Sequence, residues 1–117
     1  MKVGIIGSGG REHAICENLK KSNKIEQIYC LPGNAGTAKI AENIILDLEN
    51  FKDVKNFVLE KNLDLVIVGP EKPLVDGLVD YLEEFNIKVF GTNKLASQLE
   101  GSKIFTKQLC QKFNIPT

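Results

Sequence analysis

The chain has no excess of either charge. Fifteen basic residues balance fifteen acidic ones over 117 residues, so there is no overall basic field to draw nucleic acid or an anionic membrane. Cysteine is scarce and scattered: Cys16, Cys30 and Cys110 form no Cys-x-x-Cys pair, and a single histidine cannot complete a zinc set. Buried free thiols in a reducing compartment are the plain expectation. Long hydrophobic runs are missing too. The apolar stretch at the start is about six residues and meets Gly-Ser-Gly-Gly, too short for a signal core or a membrane span. A cytoplasmic protein with neither nucleic-acid nor membrane partner is therefore expected. No repeat or low-complexity segment occurs, and the length suits one core.

What the chain does have is alternation. Residues 2–6 are short, apolar and rich in β-branched side chains, as in a buried parallel strand. A helix is predicted over 11–21, with Ala14, Ile15, Cys16 and Leu19 as its apolar stripe. Strands follow at 27–31, 63–68 and 87–90, with a short edge strand at 43–46. Asn50 is placed to cap a helix over 51–61, whose Phe51, Val54, Phe57 and Val58 share a face. Pro73 suits the first turn of a helix reaching residue 84, with Leu74, Val75, Leu78, Val79 and Leu82 inward. A short helix is predicted from 91–93 to near 100, and a last one after Ser102. Strands alternating with helices at this spacing make an α/β fold, an open parallel sheet with helices on both faces.

In such sheets ligands bind beyond the carboxyl ends of the strands. Three strand-following turns should crowd that rim: Gly-Ser-Gly-Gly-Arg at 7–11, Pro-Gly-Asn-Ala-Gly-Thr at 32–37 and Gly-Pro-Glu-Lys-Pro-Leu at 69–74. Gly7, Gly9 and Gly10 allow a tight turn that aims backbone N–H groups at a ligand, where a helix N-terminus favours negative charge. Arg11 is the only arginine and His13 the only histidine, and both fall here. A guanidinium fork can hold an oxyanion bidentately. His13 either meets a phosphate or ribose or bonds only to protein. Asn34, Gly36 and Thr37 offer amides, a carboxamide and a hydroxyl, or else form a mere connection. Pro70 and Pro73 stiffen the chain around Glu71, which is either aimed at the crevice to accept from sugar hydroxyls or an amine, or is a solvated turn acid.

The glycines match a dinucleotide fingerprint only halfway. Glu12 stands in the third glycine position, and Cys30, Leu31 and Pro32 occupy the place of the ribose-binding acid. A phosphoacceptor of the receiver type fails because Gly69 stands where an aspartate is required.

Four motifs in this order resemble the N-terminal domain of the phosphoribosylamine–glycine ligase (glycinamide ribonucleotide synthetase) family, over the whole chain. They are Gly-Ser-Gly-Gly-Arg-Glu-His at 7–13, Pro-Gly-Asn-Ala-Gly-Thr at 32–37, Val-Gly-Pro-Glu-Lys-Pro-Leu at 68–74 and Leu-Glu-Gly-Ser-Lys-Ile-Phe-Thr-Lys at 99–107. The resemblance implies a Rossmann-like domain over 1–101 that precedes an ATP-grasp fold absent from this chain, with 102–117 as a linking helix. It implies ligation of glycine to 5-phosphoribosylamine in purine synthesis, with ATP and Mg²⁺ or Mn²⁺ held by other domains of a longer chain. Gly7, Gly9, Gly10, Arg11, His13, Asn34, Gly36, Thr37, Pro70 and Glu71 would then contribute to the phosphoribosylamine site. Lys103 matches a lysine reaching toward nucleotide phosphates. No residue is assigned to catalysis or to a metal, and ligation by this piece alone is not expected. The alternatives are a dinucleotide-binding domain and a non-catalytic sugar-phosphate module.

Overall fold

A computed structural model describes residues 1–91. Five strands form one parallel sheet: β1 (Lys2–Gly7), β2 (Gln27–Pro32), β3 (Glu42–Asn43), β4 (Leu65–Val68) and β5 (Val89–Gly91), in the order β3-β2-β1-β4-β5. Helices α1 (Gly10–Lys20), α2 (Phe51–Glu60), α3 (Glu71–Val75) and α4 (Leu78–Glu83) connect them, with a 3₁₀ turn at Thr37–Lys39. The chain leaves β1 toward one side of the sheet and then crosses to the other. That reversal puts the topological switch point at the carboxyl ends of β1 and β4.

Strand pleating explains why both faces are apolar. Val3, Ile5, Ile28, Cys30, Leu65 and Ile67 point to the side where Ile15, Cys16 and Leu19 of α1 cover them. Ile6, Leu31, Val66 and Val68 point the other way, against Val54 and Val58 of α2 and Leu78 and Leu82 of α4. Central strands buried on both faces read as continuous apolar runs because neither side meets water. Each fully buried Leu or Ile removes enough apolar surface to contribute about 1.5–3 kcal/mol.

Local chemistry sets the helix ends. The Asn50 side chain accepts from the backbone N–H of Asp53 at 3.2 Å, capping α2. At its far end Asn62 takes a left-handed φ of 55°. Leu63 N–H then donates to Val58 O at 3.0 Å and Asn62 N–H to Leu59 O at 3.3 Å, the paired bonds of a Schellman stop.

Two expectations are corrected. The single helix predicted over 73–84 is two helices. Gly77, at φ 92°, ends α3 and supplies the carbonyl that receives Tyr81 N–H at 3.0 Å. The break turns Val75 out to 76% exposure instead of inward. The edge strand predicted over 43–46 pairs only at Glu42–Asn43. Its alternation survives without the ladder: Ile44, Leu46 and Leu48 pack on the second core while Ile45 is 84% exposed. The helices predicted after residue 91, the 102–117 linker and Cys110 lie outside the described residues. No helix among those described is long and apolar enough to cross a membrane.

Candidate functional site

The three turns do meet at one edge. Gly33 N–H donates to Gly7 O and Gly69 N–H to Ile6 O, each at 3.0 Å, so the backbone just beyond β2 and β4 is tied to the end of β1. Gly7 needs its glycine twice. Its φ is 138°, and a Cβ there would run into the Glu12 carboxylate. Ser8, Gly9 and Gly10 are exposed, and Gly9 caps α1 without any side-chain bond. The first N–H groups of α1 therefore point outward at the rim, where a helix end favours an anion. Arg11 is partly buried, and its guanidinium has no partner among the described residues.

The second turn is built mainly from its own side chains. Thr37 is fully buried. Its Oγ1 accepts from Asn34 N–H at 2.8 Å and stands within donor reach of Asn43 Oδ1 at 2.8 Å and Asn34 O at 3.0 Å. Asn34 Oδ1 accepts from Thr37 N–H at 3.0 Å, and Asn43 Nδ2 donates to Asn34 O at 2.8 Å. Asn34 Nδ2 reaches across to Ser8 O at 2.9 Å, joining this turn to the first. His13 completes the joint. Its imidazole lies against Gly36, where a Cβ would come within 2.5 Å of Cε1, and its Nε2 meets Glu17 Oε1 at 3.0 Å. Thus Asn34, Gly36, Thr37 and His13 hold the rim together, and Asn43, which the motifs did not single out, is their anchor in β3.

The third turn gives Pro70 as the cap of α3 and Glu71 as its exposed first residue. Lys72 beside it is engaged by Asp76 at 2.8 Å and Glu49 at 3.2 Å. Those two carboxylates raise its pKa, Asp76 first. Lys103 lies outside the described residues.

One feature went unassigned by sequence pattern. Glu12 is the only charged side chain buried among the described residues, at 7% exposure, and it sits beneath Gly7, Gly9 and Gly69. The signal was present: an acid where a dinucleotide fold has a glycine. Below it, Cys16 and Cys30 are free and fully buried. The hydrogen bond to Cys30, then burial, pushes the Cys16 thiol far above the usual range. A separate groove of about 590 Å³ opens at the amino edge of the sheet, beside Gln27, Ile28 and Glu42. Its lining includes no residue of the three turns, and Lys20 on its wall is already bonded to Ile40 O at 2.8 Å.

At the end of β2, Leu31 and Pro32 stand where a dinucleotide domain would place its ribose-binding acid. Among the described residues no three His, Cys, Asp or Glu side chains are grouped to hold a metal ion.

Residues 1–100 match the family model described as "Phosphoribosylglycinamide synthetase, N domain". The phosphoribosylamine–glycine ligase of Caldanaerobacter subterraneus is 49% identical over 117 residues, which is all of this chain and 28% of the relative. That of Brucella melitensis is 51% identical over the same length, 27% of the relative. The crystal structure of phosphoribosylamine–glycine ligase from Thermotoga maritima superposes with a TM-score of 0.52 at 31% identity, covering all of this chain and 26% of that one. The chain thus spans little more than a quarter of the length of the relatives it matches.

Proposed function

Since this chain belongs to the phosphoribosylglycinamide synthetase N-domain family, we propose that it serves an ATP-dependent ligase joining glycine to 5-phosphoribosylamine in purine synthesis. Its carboxyl-edge crevice contributes to the phosphoribosylamine site. The observation that carries this reading is the convergence of three rim turns, tied by backbone bonds, around exposed amides at the start of α1.

The roles follow from chemistry. The Ser8, Gly9 and Gly10 amides and the unpartnered Arg11 suit an anionic phosphate. Glu71, exposed on the opposite turn, suits the ribose hydroxyls or the amine. Asn34, Gly36, Thr37, His13 and Pro70 keep those groups in place. Ligation of this type passes through an activated acyl phosphate, which water destroys unless the amine is held close and shielded. A rigid domain that presents the amine to a neighbouring active site answers that need.

ATP and Mg²⁺ or Mn²⁺ are assigned to other domains of a longer chain on the family resemblance. Lys103 would serve that neighbouring nucleotide site. A cytoplasmic location goes with this function.

The complete protein carrying this domain should release ADP only when glycine and phosphoribosylamine are both present. Residues 1–117 alone should release none. Turnover by the isolated piece, or a complete protein indifferent to phosphoribosylamine, would overturn the proposal.

A further inference from the structure

We infer that Glu12 is a positioning residue whose side chain sets the gap between the first and third turns. On one side of that gap are the exposed amides of residues 8–10, on the other the exposed Glu71. Glu12 acts through those turns and does not touch the ligand. The inference rests on the sugar-phosphate reading above and names the residue that fits the crevice to a molecule reaching both turns.

In a dinucleotide fold the third glycine lets the helix close tightly on its strand. Glu12 stands at that place, in the first turn of α1, and is 7% exposed. A buried carboxylate is costly, and the helix start offsets part of that cost. What encloses it is backbone. Gly7 and Gly69 are both buried, and a Cβ on either would run into the Glu12 side chain. For Gly69 the approach would be 2.8 Å to Cδ and 2.9 Å to Cγ. The side chain is therefore packed against the ends of β1 and β4 together. Gly69 N–H donates to Ile6 O at 3.0 Å, so the third turn hangs on β1 where this wedge sits.

The two glycines are needed for different reasons. Gly7 has a φ of 138°, which a larger residue adopts only under strain, whatever its neighbour. Gly69 is not in the left-handed region, and the three atoms nearest an added Cβ all belong to Glu12. Its lack of a side chain answers to Glu12 rather than to the backbone. Beyond it the chain runs through Pro70 into α3, whose first residue is Glu71, so a shift at Gly69 is carried to that carboxylate. The second turn is held to the first by Gly33 N–H on Gly7 O and Asn34 Nδ2 on Ser8 O, and moves with it. Glu12 thus separates two units and fixes the distance that a ligand must span.

The test titrates the complete protein with inorganic phosphate, which needs only the first-turn amides, and with ribose 5-phosphate, which needs both turns. Glu12→Ala should weaken ribose 5-phosphate binding by roughly 10-fold or more and change inorganic phosphate by less than about 2-fold. Gly69→Ala should weaken ribose 5-phosphate by about 3-fold or more alone, yet add less than about 2-fold to Glu12→Ala, where the methyl group has room. Gly7→Ala should be damaging in either background. An equal loss of both probes in folded Glu12→Ala makes the residue merely structural and overturns the inference. So does a Gly69→Ala effect of the same size with and without Glu12. If Glu12→Ala fails to fold, Gly69→Ala read with the two probes decides, and unchanged ribose 5-phosphate binding overturns the inference. A wild type that binds neither probe overturns the sugar-phosphate reading itself.

Discussion

Asn34 donates through Nδ2 to the carbonyl of Ser8 at 2.9 Å, a side-chain bond that joins the turn after β2 to the turn that opens α1 beside the backbone bond from Gly33 to Gly7. Its Oδ1 at the same time accepts from Thr37 N–H. Asn34→Ala removes both bonds, and at about 1 kcal/mol each should cost ~1–2 kcal/mol in urea unfolding. Thr37→Val keeps shape and burial but leaves Asn34 N–H and Asn43 Oδ1 without their partner. It should cost about 2–4 kcal/mol. A neutral result for Thr37→Val would mean that the turn does not depend on this network.

Gly36 and His13 should behave as a coupled pair. A methyl group on residue 36 needs the space held by the imidazole, so Gly36→Ala alone should destabilise and weaken sugar-phosphate binding together. Removing the ring in His13→Ala should restore much of that loss. The double-mutant cycle should show a coupling of about 0.5–3 kcal/mol, and strict additivity would refute the packing described.

The break at Gly77 predicts an unusual contrast along one apolar stripe. Val75→Lys should change stability by less than about 0.5 kcal/mol because the side chain is in water. Leu78→Ala, three positions on and fully buried, should cost about 2–5 kcal/mol. Gly77→Ala must hold a left-handed φ and should cost about 1 kcal/mol or more, with no steric neighbour to blame.

Cys16 supplies a pH signature. Its thiol is raised above the ordinary 9.0 by the bond to Cys30 and by burial. A group raised in the folded state stabilises fully below its unfolded pKa and loses that contribution as pH rises through the folded one. The same bond lowers Cys30, so the comparison is made without it: Cys30→Val, where burial still raises Cys16, should lose more stability than the Cys16→Val/Cys30→Val double variant between about pH 8 and pH 10. Site-resolved alkylation checks the same point: Cys16 should react only as fast as the protein unfolds.

The sheet was legible because parallel strands covered on both faces must be apolar throughout, and runs such as 65–68 have few other uses. The turn motifs were legible because glycine and proline leave local marks. The split at Gly77 was not, since Leu74, Val75, Leu78, Val79 and Leu82 fit one helical stripe on paper. Only the observed left-handed φ separates Val75 from the rest. The shortness of β3 was likewise hidden, because alternation records which face is buried and not whether a neighbour is there to pair.

Glu12 marks the boundary most clearly. Sequence alone determined that strands and helices alternate, that glycine turns follow β1, β2 and β4, and that an acid interrupts the dinucleotide pattern. It could not tell whether that acid points into solvent or into the protein. The third dimension decided this by bringing Gly69, fifty-seven residues away along the chain, over the same carboxylate as Gly7 and Gly9. Local patterns are governed by the conformational limits of neighbouring residues. The burial of a charge depends on which distant backbone closes above it.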